Sequence, residues 1–202
     1  MNAVDTPLPP YNLIELDAWL DRRLEAKLKE REAAHTPRLT LIATKGTLDM
    51  AYPPFILAST AASLDWEVEI FFSFYGLSLL KKDLDLTISP LGNPAMPMKL
   101  PLGPNWLRGI DWQVPNLIMS SIPGFERAAT AMMNKTLSDK GVASIQELRA
   151  LCIEAGVRLS ACQMTVDLFG WDRADFIPEI DEWLGATSVM PRAQKSDVCL
   201  FI

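Results

Sequence analysis

Two kinds of segment alternate along this chain, and the alternation limits its fold more than any other feature. Short β-rich runs recur: RLTLIAT at 38–44, WEVEIFFS at 66–73, VRLSAC at 157–162 and DVCLFI at 197–202. Such brief apolar runs read as buried strands. Between them lie longer segments with helix signals. TLDMAYPPFILASTAASLD opens on a capping threonine with an acid in its first turn, and SIQELRALCIEAG starts at Ser144 and closes at Gly156. FERAATAMMNKTLSD reads as a further helix. Strands joined through helices form parallel sheets covered on both faces. The expected fold class is therefore α/β and three-layered, with strands near 38–44, 67–73, 157–162 and 197–202.

The remaining segments refine this plan. Pro53 and Pro54 should bend or restart the first core helix. FYGLSLLKKD reads as a turn into a short helix, and LDLTIS as a brief third strand or an extended arm. The segments QMTVDLFG and ADFIPEIDEWLG follow the 157–162 strand, the first looking like a short helix. Residues 90–124 break the rhythm, with seven of the chain's fifteen prolines, three methionines and two tryptophans. That insertion is too apolar for a solvated linker and too Pro-rich to be regular. Trp106, Trp112 and its methionines should pack over Cys162, the candidate site residue, or against a neighbouring subunit; the alternative is a self-packed surface excursion. The N-terminal 1–37 form an extension, loose over 1–11 and then an amphipathic helix with apolar residues at 13, 16, 20, 24 and 28. The main domain spans 38–202.

Composition bounds the function. Of 202 residues, 49% are hydrophobic and 22% charged, so the chain can bury a substantial core. A net charge of −6 argues against a nucleic-acid partner, which needs clustered Lys and Arg. No uncharged apolar run is long enough to span a membrane, and the first residues lack the features of a signal peptide. A cytoplasmic protein with three reduced thiols is expected.

Ligands in parallel sheets sit beyond the carboxyl ends of the strands. Cys162 falls there, at the switch from strand to helix, where free amides and a helix dipole favour the thiolate. Cys152 sits in the preceding helix, too far along for a disulfide with Cys162, and reads as core. Cys199, inside VCLFI, reads as core too. The single histidine, His35, falls in a linker. That excludes zinc-type spacing and a histidine-dependent triad, and neither GxGxxG nor GxSxG is present. No metal or cofactor is called for. A lone thiolate can still attack, hold and pass on sulfur. The turn after the first strand carries Lys45, Gly46, Thr47 and Asp49, candidates to hold an anionic group, and Gln163 follows the cysteine directly. Asp49 also reads as an acid complementing a helix dipole.

Taken together, KGTLDMAYPPFILASTAASLDWEVEIFFSFYGLSLLKK, GNPAMPM, the PG before FERAATAMMNK, ACQMTVDLFG and DVCLFI resemble the DsrE/DsrF-like family. The likeness is to its larger, sulfur-oxidation-linked members and runs from about 39 to 202. It implies a flavodoxin-like α/β sandwich and homo-oligomers, often trimers or hexamers. It also implies a cytoplasmic sulfurtransferase or sulfur carrier. The cysteine at the position of Cys162 would accept sulfane sulfur or thiosulfonate from TusA-like carriers or rhodaneses. No second cysteine lies near Cys162 in sequence, so a two-thiol mechanism does not carry over. The rival reading is a non-catalytic oligomeric scaffold or regulatory binding module with a structural Cys162.

Overall fold

A computed structural model describes residues 12–89, 104, 106 and 123–202. The 90–124 insertion, with Trp112 and its methionines, lies almost wholly outside them. Trp106 is exposed in the single chain. Two compact units divide between Thr36 and Pro37. The first holds helix α1 (Leu13–Ala33), capped by the Asn12 side chain accepting from the Ile14 amide at 3.1 Å. No described helix is long and apolar enough to cross a membrane.

The second unit is built on a five-stranded, wholly parallel sheet. Its strands are β1 (Arg38–Ala43), β2 (Glu67–Phe72), β3 (Arg158–Cys162), β4 (Glu182–Leu184) and β5 (Val198–Phe201), in the order β4-β3-β2-β1-β5. Successive side chains along a strand face opposite sides. One face therefore carries Leu39, Leu41, Ala43, Val68, Ile70, Phe72, Leu159 and Ala161, all buried in the main core. Helices α2 (Leu48–Ser63) and α4 (Ile145–Glu154) supply Ala51, Phe55, Ala58, Leu148 and Cys152 to that core. The opposite face carries Thr40, Ile42, Glu69, Phe71, Ser160 and Cys162, and helix α6 (Ala186–Ala193) packs on it through Val189. Helix α3 (Phe125–Asp139) precedes α4, and the short α5 (Gln163–Phe169) follows β3.

Several local expectations resolve here. Pro53 and Pro54 do not restart α2, which runs on through both. LDLTIS is an extended arm: the Leu48 amide donates to the Thr87 carbonyl at 2.8 Å, and the Ile88 amide to Thr130 Oγ1 at 3.0 Å. DVCLFI does form the last strand, but as an edge rather than a buried strand. Pairing only with β1, β5 leaves Phe201 75% exposed. β4, three residues long, carried no strand signal, because EWL lies between polar and turn residues with no β-rich run around it.

Two glycines join the exits of β1 and β2. A Cβ on Gly46 would stand 2.2 Å from the Tyr75 carbonyl oxygen, and one on Gly76 2.3 Å from that of Ala43. Each turn thus rests against the other's backbone, which leaves a side chain no room. Gly46→Ala should lower stability by about 3 kcal/mol, read as a shift in the denaturation midpoint at unchanged m-value.

Candidate functional site: a covered cysteine at the carboxyl edge

Cys162 ends β3 and caps the N-terminus of α5, as its place in the sequence led us to expect. Its surroundings differ from that expectation. The residue is 3% exposed and packs with Phe71 and Val189, with Ile42 and Leu184 partly buried around them. Leu184 is its neighbour in register on β4, and Val189 comes down from α6. Within a single chain the thiol therefore lies under a helix instead of standing open at the sheet edge.

Just below it, on the same face, a polar network fastens α6. Ser160 Oγ donates to Glu69 Oε1 at 2.6 Å. The Arg192 guanidinium spans two acids, 3.0 Å from Glu69 Oε1 and 2.6 Å from Glu182 Oε2. Those carboxylates, Glu182 foremost, hold the Arg192 pKa above its ordinary value. Val189 and Arg192 are three apart on α6, so one helical face both covers the thiol and reaches the acids.

The turn after β2 flanks the cysteine from the neighbouring strand. Phe74 takes a left-handed conformation, φ 48°, rare for a bulky residue, and its amide donates to the buried Thr165 hydroxyl of α5 at 3.0 Å. Tyr75 stacks on Phe169 with centroids 5.5 Å apart, and Phe169, Trp171, Phe176 and Trp183 continue the aromatic series to β4. Tyr75 is 67% exposed, and Phe74, Met164, Leu168 and Met190 are also exposed apolar side chains of α5, α6 and this turn. Sequence reasoning missed this rim. The Ser-Phe-Tyr-Gly turn was its only local signal. Val189 and Arg192 gave none, since the segment around Pro191 reads poorly as a helix.

The other candidates separate into two groups. Gln163 is engaged locally, its Nε2 donating to Asp167 Oδ1 at 2.7 Å and its Oε1 accepting from Arg173. Lys45, Gly46, Thr47 and Asp49 stand after β1, with β2 between them and β3, so about 10 Å of sheet separates the two turns. Among the described residues no hydrogen bond or ion pair joins this turn to Cys162 or Gln163. Lys45 is exposed. Gly46 serves the close backbone approach to Tyr75, Thr47 is the N-cap of α2 without a side-chain cap bond, and Asp49 accepts from the Ser89 amide at 3.2 Å.

All three cysteines are free thiols. Cys152 is core, on the opposite side of the sheet from Cys162, with its Sγ donating to the Phe55 carbonyl at 3.4 Å. Burial pushes its thiol up to about 11. Cys199 corrects the sequence reading: it is exposed, because β5 is an edge strand that pairs only with β1 among the described strands.

Comparison with known proteins places the chain. The model of the DsrE/DsrF/DrsH-like family matches residues 35–201. The chain belongs to this family. It is 53% identical over 165 residues, 82% of this chain and 98% of the relative, to a protein named sulfur carrier protein DsrE2 from Allochromatium vinosum. It is 29% identical over 83% of its length to YrkE, an uncharacterized protein of Bacillus subtilis, covering 98% of that protein. Among solved structures it is similar to the ychN protein from E. coli, at a TM-score of 0.46 and 9% identity over 83% of this chain and 100% of that one.

Within this family member the three thiols should differ in reactivity. Under native conditions a small alkylating agent should label Cys199 first and Cys152 last, as peptide mapping over a time course would show. A pH effect follows from Cys152. A thiol whose folded pKa is raised adds stability below its unfolded value, about 8.5, and loses it as pH climbs toward about 11. The stability advantage of wild type over Cys152→Ala should therefore shrink across that window in denaturant titrations.

Proposed function

We propose that the chain is a sulfur carrier, with Cys162 as the residue that takes up the sulfur. The observation that carries this reading is the position of Cys162, a free cysteine at the carboxyl end of an interior strand, beside a rim of exposed apolar side chains. Membership of the family and 53% identity to a protein named as a sulfur carrier support it.

The chemistry needs a single thiolate. The Cys162 thiolate attacks the outer sulfur of a donor persulfide, a new S–S bond forms, the donor's S–S bond breaks, and the donor leaves as a thiolate. An acceptor thiolate then attacks the outer sulfur on Cys162, takes it, and returns the Cys162 thiolate. From tetrathionate the same attack, on one of its two inner sulfurs, would transfer that sulfur with its sulfonate group, and thiosulfate would leave. Neither route consumes a base once the thiol is ionised, so the absence of a histidine from this unit is no obstacle. The donors and acceptors that suit this reading are TusA-like carriers or rhodaneses, in a reducing cytoplasm. Lys45 and Gln163 are the residues we propose to steer the anionic group, Lys45 only on an approach that bridges the width of β2. Gly46, Thr47 and Asp49 contribute by fixing that turn.

Burial of Cys162 requires one further step. Val189 must move before a donor sulfur reaches the thiol, so docking of a protein partner on the rim and displacement of α6 precede transfer. The same burial is what a structural cysteine in a scaffold protein would show, and the two readings part under test. In a Cys199→Ser background, which removes the exposed thiol, intact-mass analysis after incubation with a persulfide-loaded protein donor should show a gain of sulfur mass. That gain should vanish when Cys162→Ser is added and persist with Cys152→Ser, and Val189→Gly should let a low-molecular-weight persulfide load the same thiol several-fold faster. A gain that survives Cys162→Ser in that background would overturn the assignment.

A further inference from the structure

Helix α1 carries a repeat of four residues that the sulfur chemistry does not use. Leu16, Leu20, Leu24 and Leu28 form a single ridge, each one turn from the next. One residue after the ridge come Asp17, Asp21, Glu25 and Lys29, and three residues after it come Trp19, Arg23, Lys27 and Arg31, with Glu15 at the start of that second flank. At 100° per residue, one flank of the ridge is therefore mainly acidic and the other mainly basic. The four leucines are 37%, 49%, 58% and 46% exposed, and among the described residues none of these charged groups makes an ion pair. Arg23 only stacks over Trp19, at 5.1 Å.

An apolar ridge exposed on a helix of 21 residues leaves that helix marginal by itself. What can cover it is set by the flanks. Rotation about an axis parallel to the helix sets the acidic flank of one copy beside the basic flank of the next. Rotation about a perpendicular axis, which gives an antiparallel pair, sets acid beside acid and base beside base. Flanking charges of this kind fix partner and orientation in helix pairs. We propose that α1 is a self-association element that packs, leucine ridge to leucine ridge and in parallel, on α1 of a second copy of this chain.

The test uses the full chain. In sedimentation velocity, the Leu20→Glu/Leu24→Glu variant should assemble to a smaller mass than wild type, with the thermal unfolding of the main domain unchanged. An unchanged mass would overturn the proposal, and an unchanged mass with a lowered Tm would mean that α1 covers its own domain. A charge experiment isolates the flanks. Asp17→Lys/Asp21→Lys/Glu25→Lys has bases on both sides, and Arg23→Glu/Lys27→Glu/Arg31→Glu has acids on both. Each should self-associate at least tenfold more weakly than wild type, while an equimolar mixture recovers assembly; a mixture that stays dissociated would refute the flank pairing. The sense is read from Leu16→Cys in a Cys199→Ser background. Parallel packing brings this position against its own copy and gives a disulfide-linked dimer on oxidation, whereas an antiparallel pair gives none.

Discussion

The surroundings of Cys162 depend on one guanidinium. Helix α6 has eight residues, a proline among them, and buries only Val189 and Ala193. So few buried side chains give the helix little apolar anchorage. Arg192, bridging Glu69 of β2 and Glu182 of β4, adds the missing attachment and spans β3 as it does so. Its side chain keeps 31% of its surface in solvent, so the pairing adds only about 1–2 kcal/mol. The cover over the thiol is therefore present but weakly held, the kind of element that opens locally while the core stays folded.

The two faces of the sheet divide the labour. Period-two alternation sends Leu159 and Ala161 into the aliphatic core beneath α2 and α4, and Ser160 and Cys162 to the other side. The first face is fully packed and provides the rigidity. The second mixes apolar and polar groups: Thr40 hydrogen-bonded to Ser196 at 2.6 Å, Glu69 to Ser160, and Phe71 under Val189. A reactive group on the first face could be uncovered only by unfolding the core, and Cys152 occupies that position. A reactive group on the second face can be uncovered by moving one short helix.

Most of the framework was legible because it rests on local signals. The β-rich runs at 38–44, 67–73, 157–162 and 197–202 locate four of the five strands within a residue or so, and Ser144 with Glu147 announces α4 through a reciprocal capping box. The place of Cys162, at the end of a strand and the start of a helix, was legible in the same way. What escaped depends on residues distant in sequence. β4 is ordered by its register with Ser160 and Cys162, not by its own three residues. The cover over Cys162 comes from a segment whose proline argues against a helix. The exposure of Cys199 depends on β5 being an edge, which is a property of strand order. Gly46 was placed in a turn that could hold an anionic group, but that its close neighbour is the backbone of Tyr75 depends on a segment about thirty residues away.

A carrier thiol faces two opposed demands. It must stay unreactive toward the small oxidants and thiols around it, and it must meet the sulfur of a partner protein within bonding distance. An open thiolate meets only the second demand, and a core thiol such as Cys152 only the first. Cys162 sits between them, one weakly held helix away from solvent and bordered by Phe74, Tyr75, Met164, Leu168 and Met190, a rim too apolar to be indifferent to protein contact. The left-handed Phe74, held by Thr165 at the start of α5, ties that rim to the helix that begins at the cysteine. On the carrier reading, a partner that buries the rim gains apolar contact there and can offset the loss of the Val189 packing and the Arg192 bridges. Exposure of the sulfur is then coupled to the presence of the protein that will take it.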